Sequence, residues 1–199
     1  MLLDRDGYYD LPPGKIATVV TFLEMTEPAP RRPGPTLSHL TLRRVELPDP
    51  GWYRDLYRRV GRDWLWFSRL ALPEDELRAI LHDPLVEVHA LEVAGRAEGL
   101  LELDRRVADE IELAFLGLTA GMVGQGAGRW LMDRAQALAW AHRPRRFWVH
   151  TCTLDHPGAL DFYLRSGFRA YRRAVEVADD PRLTGLAPRD AAPSLPVLG

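Results

Sequence analysis

The sequence predicts an α/β protein of the α+β type, in which a mixed, mostly antiparallel sheet carries helices on both faces. Residues 85–118 contain three strand-like segments joined by tight turns at Ala94-Gly95 and near Asp109, which predicts an antiparallel meander. A glycine-rich turn, a helical pattern and another strand-like segment follow over residues 121–152. This order predicts one β-α-β crossover after the meander.

The elements before the meander are a strand, a linker, a second strand and two helices. β-branched residues over 15–27 predict the first strand, and the proline-rich stretch 28–35 predicts a linker. A second strand is predicted over 40–46 and a short helix over 51–61. Pro73 precedes three acidic residues, a pattern that is typical of a helix start.

The elements after the meander alternate between helix and strand. Apolar residues at helical spacing predict a helix that follows the glycine-rich turn and ends near His142. These apolar residues are Ala127, Trp130, Leu131, Ala135 and Leu138. We then predict a strand over 146–152, a helix over 157–165 and a last strand over 168–178.

This order of elements divides the chain into three parts. Residues 1–36 form an N-terminal arm with an extra strand and a proline-rich linker, and residues 37–178 form the main domain. Residues 179–199 form a proline-rich tail, which we expect to be mobile or docked on a neighbour.

Composition excludes several classes of function. The 199 residues carry a net charge of -2, so we expect no partner among nucleic acids or anionic membranes. The single cysteine, Cys152, excludes an internal disulfide framework and a CxxC metal site, and we expect no metal. No apolar run approaches the ~18 residues that a membrane span needs. Since the N-terminus also lacks the pattern of a signal peptide, we expect a cytoplasmic protein.

The glycine-rich turn is the strongest local signal for a ligand. Gly124, Gly126 and Gly128 alternate at a predicted helix start, where unpaired backbone N–H groups favour an anion. A nucleotide P-loop would need Lys-Ser/Thr after the last glycine, whereas Arg129 and Trp130 stand there. The dinucleotide fingerprint, and with it a nicotinamide oxidoreductase, is disfavoured because its sixth position is Arg129 and the turn follows a meander. A tight turn without a ligand stays open.

Three segments together resemble the GNAT superfamily of N-acetyltransferases. Residues 123–128 match the family's Q/R-x-x-G-x-G/A turn at its glycine positions, with Val123 in place of the leading Gln or Arg. Residues 156–168 are similar to the family's NxxAxxFYxxxGF segment, with His156 where asparagine is commoner. Residues 112–118 resemble its fourth strand. The resemblance covers about residues 37–175 and implies the GNAT fold.

The resemblance implies an acetyl-CoA-dependent N-acetyltransferase. Acetyl-CoA would be the co-substrate, and an amine of a small molecule or a peptide would attack its thioester directly. The residues that would hold the cofactor are Leu116, Leu118, Val123, Gly124, Gln125, Gly126, Ala127, Gly128, Arg129, His156, Ala159 and Phe162. The backbone around Gly117 would polarise the thioester carbonyl.

The resemblance also implies catalytic residues. Tyr163 stands at the position of the family's general acid, and a tyrosine with an ordinary pKa near 10 is protonated at neutral pH. Glu112 is the expected base, with Glu110 as the second candidate; a solvated strand face is the structural alternative for both. His150 and Cys152 share a strand face, but we expect Cys152 to be a small buried apolar residue and not a nucleophile.

The sequence says least about the residues that would bind the amine acceptor. Trp64 and Trp66 lie in the region that walls the acceptor pocket in this family, and such aromatic residues equally suit a core. We expect the first strand and the tail to lie outside the shared core, where they could contribute to a homodimer. The rival function is a non-catalytic acyl-CoA-binding or regulatory module, which the departures at Val123 and His156 would permit.

Overall fold

The computed structural model describes residues 4–30, 34 and 36–198. In this part of the chain, seven strands form one sheet in the spatial order β2-β3-β4-β5-β6-β1-β7. The strands are β1 (Lys15–Met25), β2 (Leu40–Arg44), β3 (Val86–Val93), β4 (Arg96–Asp104), β5 (Glu110–Leu118), β6 (Arg146–Cys152) and β7 (Arg169–Asp179). Neighbouring strands are antiparallel except β5 and β6, which are parallel. The predicted mixed, mostly antiparallel sheet is confirmed.

Helices cover both faces of the sheet. They are α1 (Pro50–Gly61), α2 (Ser68–Ala71), α3 (Glu74–Leu81), α4 (Ala127–Ala141) and α5 (Ala159–Arg165). Helix α1 begins with Pro50 at its first position, and the Asp49 side chain accepts a hydrogen bond from the Trp52 N–H, which caps the helix. No helix within the described ranges is long and apolar enough to cross a membrane.

Two hydrophobic cores lie on opposite sides of the sheet. One packs α1 and α3 against β3 and β4, and its fully buried residues include Tyr53, Leu77 and Leu100. The other packs α4 and α5 against the opposite face, and it includes Leu131 and Phe147. Burial of such a side chain stabilises the fold by about 1.5–3 kcal/mol, so the amphipathic helices are held mainly by these two cores.

Strand β1 lies inside the sheet, between β6 and β7. It pairs antiparallel with both neighbours, from Val20 opposite Cys152 on one side to Lys15 opposite Asp179 on the other. Both edges of the strand are therefore hydrogen-bonded. Leu23 and Met25 on its inner face are buried in the core beneath α4 and α5, which fixes the strand in this position.

Tight turns join the strands of the meander where the sequence predicted them. Ala94 and Gly95 both adopt positive φ, 49° and 80°, as the type I′ hairpin between β3 and β4 requires. Asp109 has φ 61° at the turn between β4 and β5.

The parallel strands β5 and β6 separate after a short paired segment. Their pairing runs from Glu110 opposite Arg146 to Glu112 opposite Trp148, whereas β5 continues to Leu118 and β6 to Cys152. A bulge in the pairing of β4 with β5 occurs just beyond Glu112. The two strands therefore diverge and leave a V-shaped opening in the sheet.

The C-terminal tail is docked on its own chain. Asp180 and Arg182 form a buried ion pair of 2.7 Å, and Arg182 also donates hydrogen bonds to the backbone carbonyls of Leu195 and Pro196. Ala191 and Ala192 are buried in a small cluster with Ile16 and Leu65. The expectation of a mobile tail, or of one docked on a neighbour, is wrong for residues 180–198 because these contacts lie within one chain.

Candidate active site

A cavity of about 750 Å³ opens where β5 and β6 diverge. The glycine-rich turn and the start of α4 line one end of it. Aromatic side chains from the segment after α1 line the other end. The cavity thus joins the start of α4 to an aromatic compartment across the opening in the sheet.

The glycine-rich turn adopts a backbone that favours glycine. Gly124 and Gly126 have φ of 83° and 81°, and Gly126 is the N-cap residue of the 15-residue helix α4. The first N–H groups of α4 face outward from the positive end of the helix dipole, where a phosphate group is stabilised. Gly128 and Arg129 also line the cavity, and Arg129 adds positive charge there.

Three predicted cofactor residues of this turn have different roles. Val123 lines the cavity and is about half exposed, so an apolar side chain stands where the family carries a polar one. The Gln125 amide donates a 2.6 Å hydrogen bond to the Gly121 carbonyl and braces the turn. Ala127 is buried in the core and does not line the cavity.

The diverging part of β5 forms one wall of the cavity. Leu116, Gly117 and Leu118 all line it. A Cβ at Gly117 would come within 2.8 Å of the Trp66 ring and closer still to Val60. Glycine at this position therefore lets α1 and the Trp66 ring pack directly on the strand beside the opening.

Helix α5 forms the facing wall. Ala159, Phe162 and Tyr163 line the cavity together with His156 before the helix. Tyr163 is buried, and burial together with the negative charge of Asp155 raises the pKa of its phenol. The phenol is therefore protonated across the neutral range and can serve as a proton donor.

Asp155 connects the aromatic end of the cavity to strand β6 through hydrogen bonds. Its carboxylate accepts hydrogen bonds from the Thr151 hydroxyl at 2.6 Å, from the Cys152 N–H at 2.9 Å and from the Trp66 indole N–H at 3.3 Å. Sequence reasoning assigned no role to Asp155 in this site. The sequence signal for such a role was its position directly before residues 156–168, the segment that resembles the family. Its hydrogen bond with Trp66 is visible only in the folded chain.

The aromatic compartment contains both tryptophans that were predicted to bind substrate. Trp66 packs against Tyr57 and Phe115, with ring centroids 5.4 and 5.2 Å apart. Trp64 stands edge-on to the His156 ring at 5.2 Å. All of these side chains line the cavity, and so do the carboxylates Asp155 and Glu176. Aromatic faces with nearby carboxylates form a favourable surface for a cation.

The predicted bases do not line the cavity. Glu112 lies with its Oε1 3.3 Å from Nδ1 of His150, and Glu110 forms a 2.7 Å ion pair with Arg146. His150 does line the cavity. Cys152 lines it too, but burial and the charge of Asp155 raise the pKa of its thiol, which disfavours a thiolate nucleophile.

A second cavity of about 820 Å³ lies between α4, α5 and residues 28–30. The two cavities share Arg129, Phe162 and Arg165. A long ligand at the glycine-rich turn could therefore extend from one cavity into the other past two arginines. Among the described residues, no group of three or more His, Cys, Asp or Glu side chains is arranged to hold a metal ion.

Several solved structures share this fold. A GCN5-related N-acetyltransferase from Sphaerobacter thermophilus superposes with a TM-score of 0.60 at 17% identity, over 84% of this chain and 52% of its own. A protein named as a GNAT-family acetyltransferase from Novosphingobium aromaticivorans gives 0.58 at 15%, over 86% and 70%. A Vibrio cholerae spermidine N-acetyltransferase chimera gives 0.54 at 22%, over 67% and 82%. The chain thus spans about half the length of the Sphaerobacter protein.

Sequence comparison agrees with the fold. No curated protein sequence matches the chain significantly. The model of the acetyltransferase (GNAT) family matches residues 51–168, which include α1, the meander, the glycine-rich turn and α5. That match covers more than half of the chain and supports acyl transfer as its chemistry. The chain belongs to the GNAT acetyltransferase family.

Proposed function

We propose that the protein is an acetyl-CoA-dependent N-acetyltransferase that transfers the acetyl group to a primary amine by direct attack on the thioester. The observation that carries the proposal is that one cavity joins the glycine-rich turn, the opening between β5 and β6, and Tyr163. The turn would hold the pyrophosphate through the first N–H groups of α4. Arg129 and Arg165 would add positive charge along the path into the second cavity.

Two chemical requirements of the reaction would be met by groups in the cavity. The backbone of β5 around Gly117 would polarise the thioester carbonyl from one wall. Tyr163 on the opposite wall would protonate the departing thiolate, since its raised pKa keeps the hydroxyl protonated. We therefore assign Tyr163 as the general acid.

The acceptor is proposed to be a primary amine that arrives as a cation. Asp155 and Glu176 supply negative charge to the aromatic compartment, and Trp64 and Trp66 supply ring faces. An alkylammonium group with an ordinary pKa near 10.4 would be attracted by both. The spermidine N-acetyltransferase with the same fold acts on an amine of this kind.

Calorimetric titration with acetyl-CoA tests the cofactor assignment, with NADH and ATP as controls. We expect saturable binding of acetyl-CoA in the micromolar range and none of NADH or ATP. An absence of acetyl-CoA binding up to about 1 mM, which corresponds to only about −4 kcal/mol, would overturn the proposal.

Thiol release tests the reaction itself. The protein is mixed with acetyl-CoA and with phenethylamine, spermidine or a lysine-containing peptide, and free thiol is followed over time. We expect release that depends on at least one amine. Tight binding of acetyl-CoA with no amine-dependent release would instead identify the rival, a non-catalytic acyl-CoA-binding module.

A further inference from the structure

We propose that His150 is the general base of the transfer reaction and that Glu112 positions its imidazole, an inference that rests on the proposed function. Neither role follows from the resemblance to the family, which gave Glu112 as the expected base. Three features of the structure carry the inference: where the two residues stand in the sheet, how they contact one another, and which charged groups surround them.

Both residues stand at the point where β5 and β6 separate. Glu112 is the last residue of β5 that pairs with β6, opposite Trp148, and His150 is two residues further along β6. His150 lines the cavity and Glu112 does not, so the carboxylate lies behind the imidazole as seen from the cavity. A proton from a bound amine would therefore reach the imidazole first.

The pair lies on the face of the sheet that carries the aromatic compartment. On β4, Asp104 pairs with Glu112 and Glu102 pairs with Phe115, and residues two apart on a strand share a face. Glu112 and Phe115 therefore share a face, and Phe115 packs against Trp66. The glycine-rich turn leads into α4 on the opposite face. The base thus stands on the acceptor side of the opening.

The contact between the two residues favours one tautomer of the imidazole. Nδ1 of His150 is 3.3 Å from Oε1 of Glu112, a close contact between the imidazole and the carboxylate. Because the carboxylate is negative and can only accept, its proximity favours the proton on Nδ1 and leaves the lone pair on Nε2. Within residues 4–30, 34 and 36–198, the structure records no hydrogen bond to Nε2. Nε2 is therefore the nitrogen available to accept a proton.

Acidic groups from three elements surround the imidazole. Glu112 faces it from β5, Asp155 from the loop after β6 and Glu176 from β7. On the β1 side stands the uncharged Phe22, whose ring centroid is 5.7 Å away and over whose face the Arg172 guanidinium lies. The neighbouring Glu112 carboxylate is the main cause that raises the pKa of His150, and partial desolvation of the imidazole lowers it. A raised pKa strengthens the base toward an ammonium group.

The two candidate carboxylates are less suited to the role. Glu110 is held by Arg146 at 2.7 Å, and the Arg146 guanidinium also lies 3.5 Å from Glu24. Glu112 is held by His150, and neither carboxylate lines the cavity. A proton that moved from an amine to Glu112 would have to pass His150. Protonation of Glu110 would break its ion pair with Arg146.

The protons balance over one turnover. The ammonium group gives one proton to Nε2 of His150, and its nitrogen then forms a bond to the thioester carbonyl carbon as the carbon–sulfur bond breaks. Tyr163 gives its hydroxyl proton to the departing thiolate and is reprotonated, through solvent, by the second proton that the nitrogen loses. His150 releases its proton to solvent, so one proton is released for each amide formed.

The test is the pH dependence of kcat/KM with acetyl-CoA and with phenethylamine or spermidine as the acceptor. We expect His150→Gln to lower kcat/KM about 100-fold. We expect Glu112→Gln to move the limb on which kcat/KM rises with pH to lower pH, because the group that raises the pKa of His150 is removed. Acetyl-CoA affinity, measured by calorimetry, confirms that each variant is folded.

The matched control is His142→Gln. His142 contacts Glu87 at 3.0 Å, so it belongs to a similar His–Glu pair, but it caps the end of α4 and does not line the cavity. We expect its pH profile to match that of the wild type. If the rise of kcat/KM with pH were also lost in His142→Gln, the inference would be overturned, because the effect would then not depend on the position of His150.

A second readout does not depend on turnover. The imidazole Cε1–H signal of His150, identified by its absence in His150→Gln, is titrated by NMR in the full chain. We expect its pKa above 6.5 in the wild type and lower in Glu112→Gln. An unmoved pKa in Glu112→Gln would overturn the positioning role of Glu112.

The outcomes separate this inference from the proposed function. Wild-type turnover together with an unchanged rate and limb in His150→Gln would overturn the inference alone. A wild type that binds acetyl-CoA but shows no amine-dependent thiol release would overturn the proposed function, and the inference with it.

Discussion

At the scale of a single residue, the surroundings of Tyr163 control the protonation of its hydroxyl. Its hydroxyl lies in the cavity wall, buried and close to the charge of Asp155. Both causes raise the pKa of the phenol, so the hydroxyl is protonated at neutral pH.

Replacement of Tyr163 by phenylalanine tests the general acid. We expect thiol release to slow at least tenfold, while acetyl-CoA affinity in calorimetry stays similar because only one oxygen atom is removed. The control is Tyr171→Phe, at a half-exposed tyrosine of β7 that does not line the cavity, and its rate should be unchanged. An unchanged rate in Tyr163→Phe would remove this residue from the mechanism.

At the scale of the element, we propose that the helix start and the turn before it act as one binding unit. The dipole of α4 and its unpaired N–H groups supply the attraction for an anion, and Gly124 and Gly126 supply the positive φ that turns those groups outward. Since Val123 supplies no polar side chain, this backbone unit would be the main support for a pyrophosphate under the proposed function.

Replacement of Gly124 by alanine tests that unit. A Cβ at Gly124 would meet no atom within 4 Å, so the cost is the positive φ of 83°, about 1–2 kcal/mol. If the turn relaxes to avoid this strain, acetyl-CoA affinity should fall about tenfold. Gly121→Ala is the matched control, because its Cβ would also meet nothing and its φ is not positive. Equal affinities for the two variants would exclude a role for this conformation.

At the scale of the whole molecule, the two ends of the chain complete the wall of the cavity. Strand β1 contributes Ile16 and Thr18 to the lining. The tail covers Ile16 and Leu65 with Ala191 and Ala192. Leu65 adopts φ 49°, a strained conformation for leucine, between the two tryptophans of the aromatic compartment. The tail therefore supports the segment that presents both rings.

Replacement of Arg182 by alanine tests the attachment of the tail. The change leaves the buried Asp180 carboxylate without its partner, and we expect the free energy of unfolding to fall by about 3–5 kcal/mol. Arg189→Ala removes an exposed arginine of the same tail and should change stability by less than about 0.5 kcal/mol. Denaturant unfolding at neutral pH measures both, and equal stabilities would mean that the tail does not depend on the pair.

The same pair predicts a pH dependence. The hydrogen bond from Arg182 lowers the pKa of Asp180 below its ordinary value of 3.8. A lowered pKa in the folded state stabilises the protein above the ordinary value, and this contribution is lost as the pH falls through the folded-state pKa. The difference in stability between the wild type and Arg182→Ala should therefore be constant near neutrality and narrow below about pH 4.

The sequence by itself determined the order of the elements, because alternating and helical apolar patterns are local properties of the chain. It also determined the glycine-rich turn and the position of Tyr163, since both lie in short motifs that need no knowledge of distant residues.

Only the tertiary structure decided three other features. Strand β1 could pair with any free sheet edge, and its place between β6 and β7 depends on long-range hydrogen bonding and on the burial of Leu23. The contact between His150 and Glu112 arises from the register of two parallel strands, which the residue spacing does not reveal. The tail is held by the buried pair Asp180–Arg182, and nothing in its proline-rich composition indicated where that pair would dock.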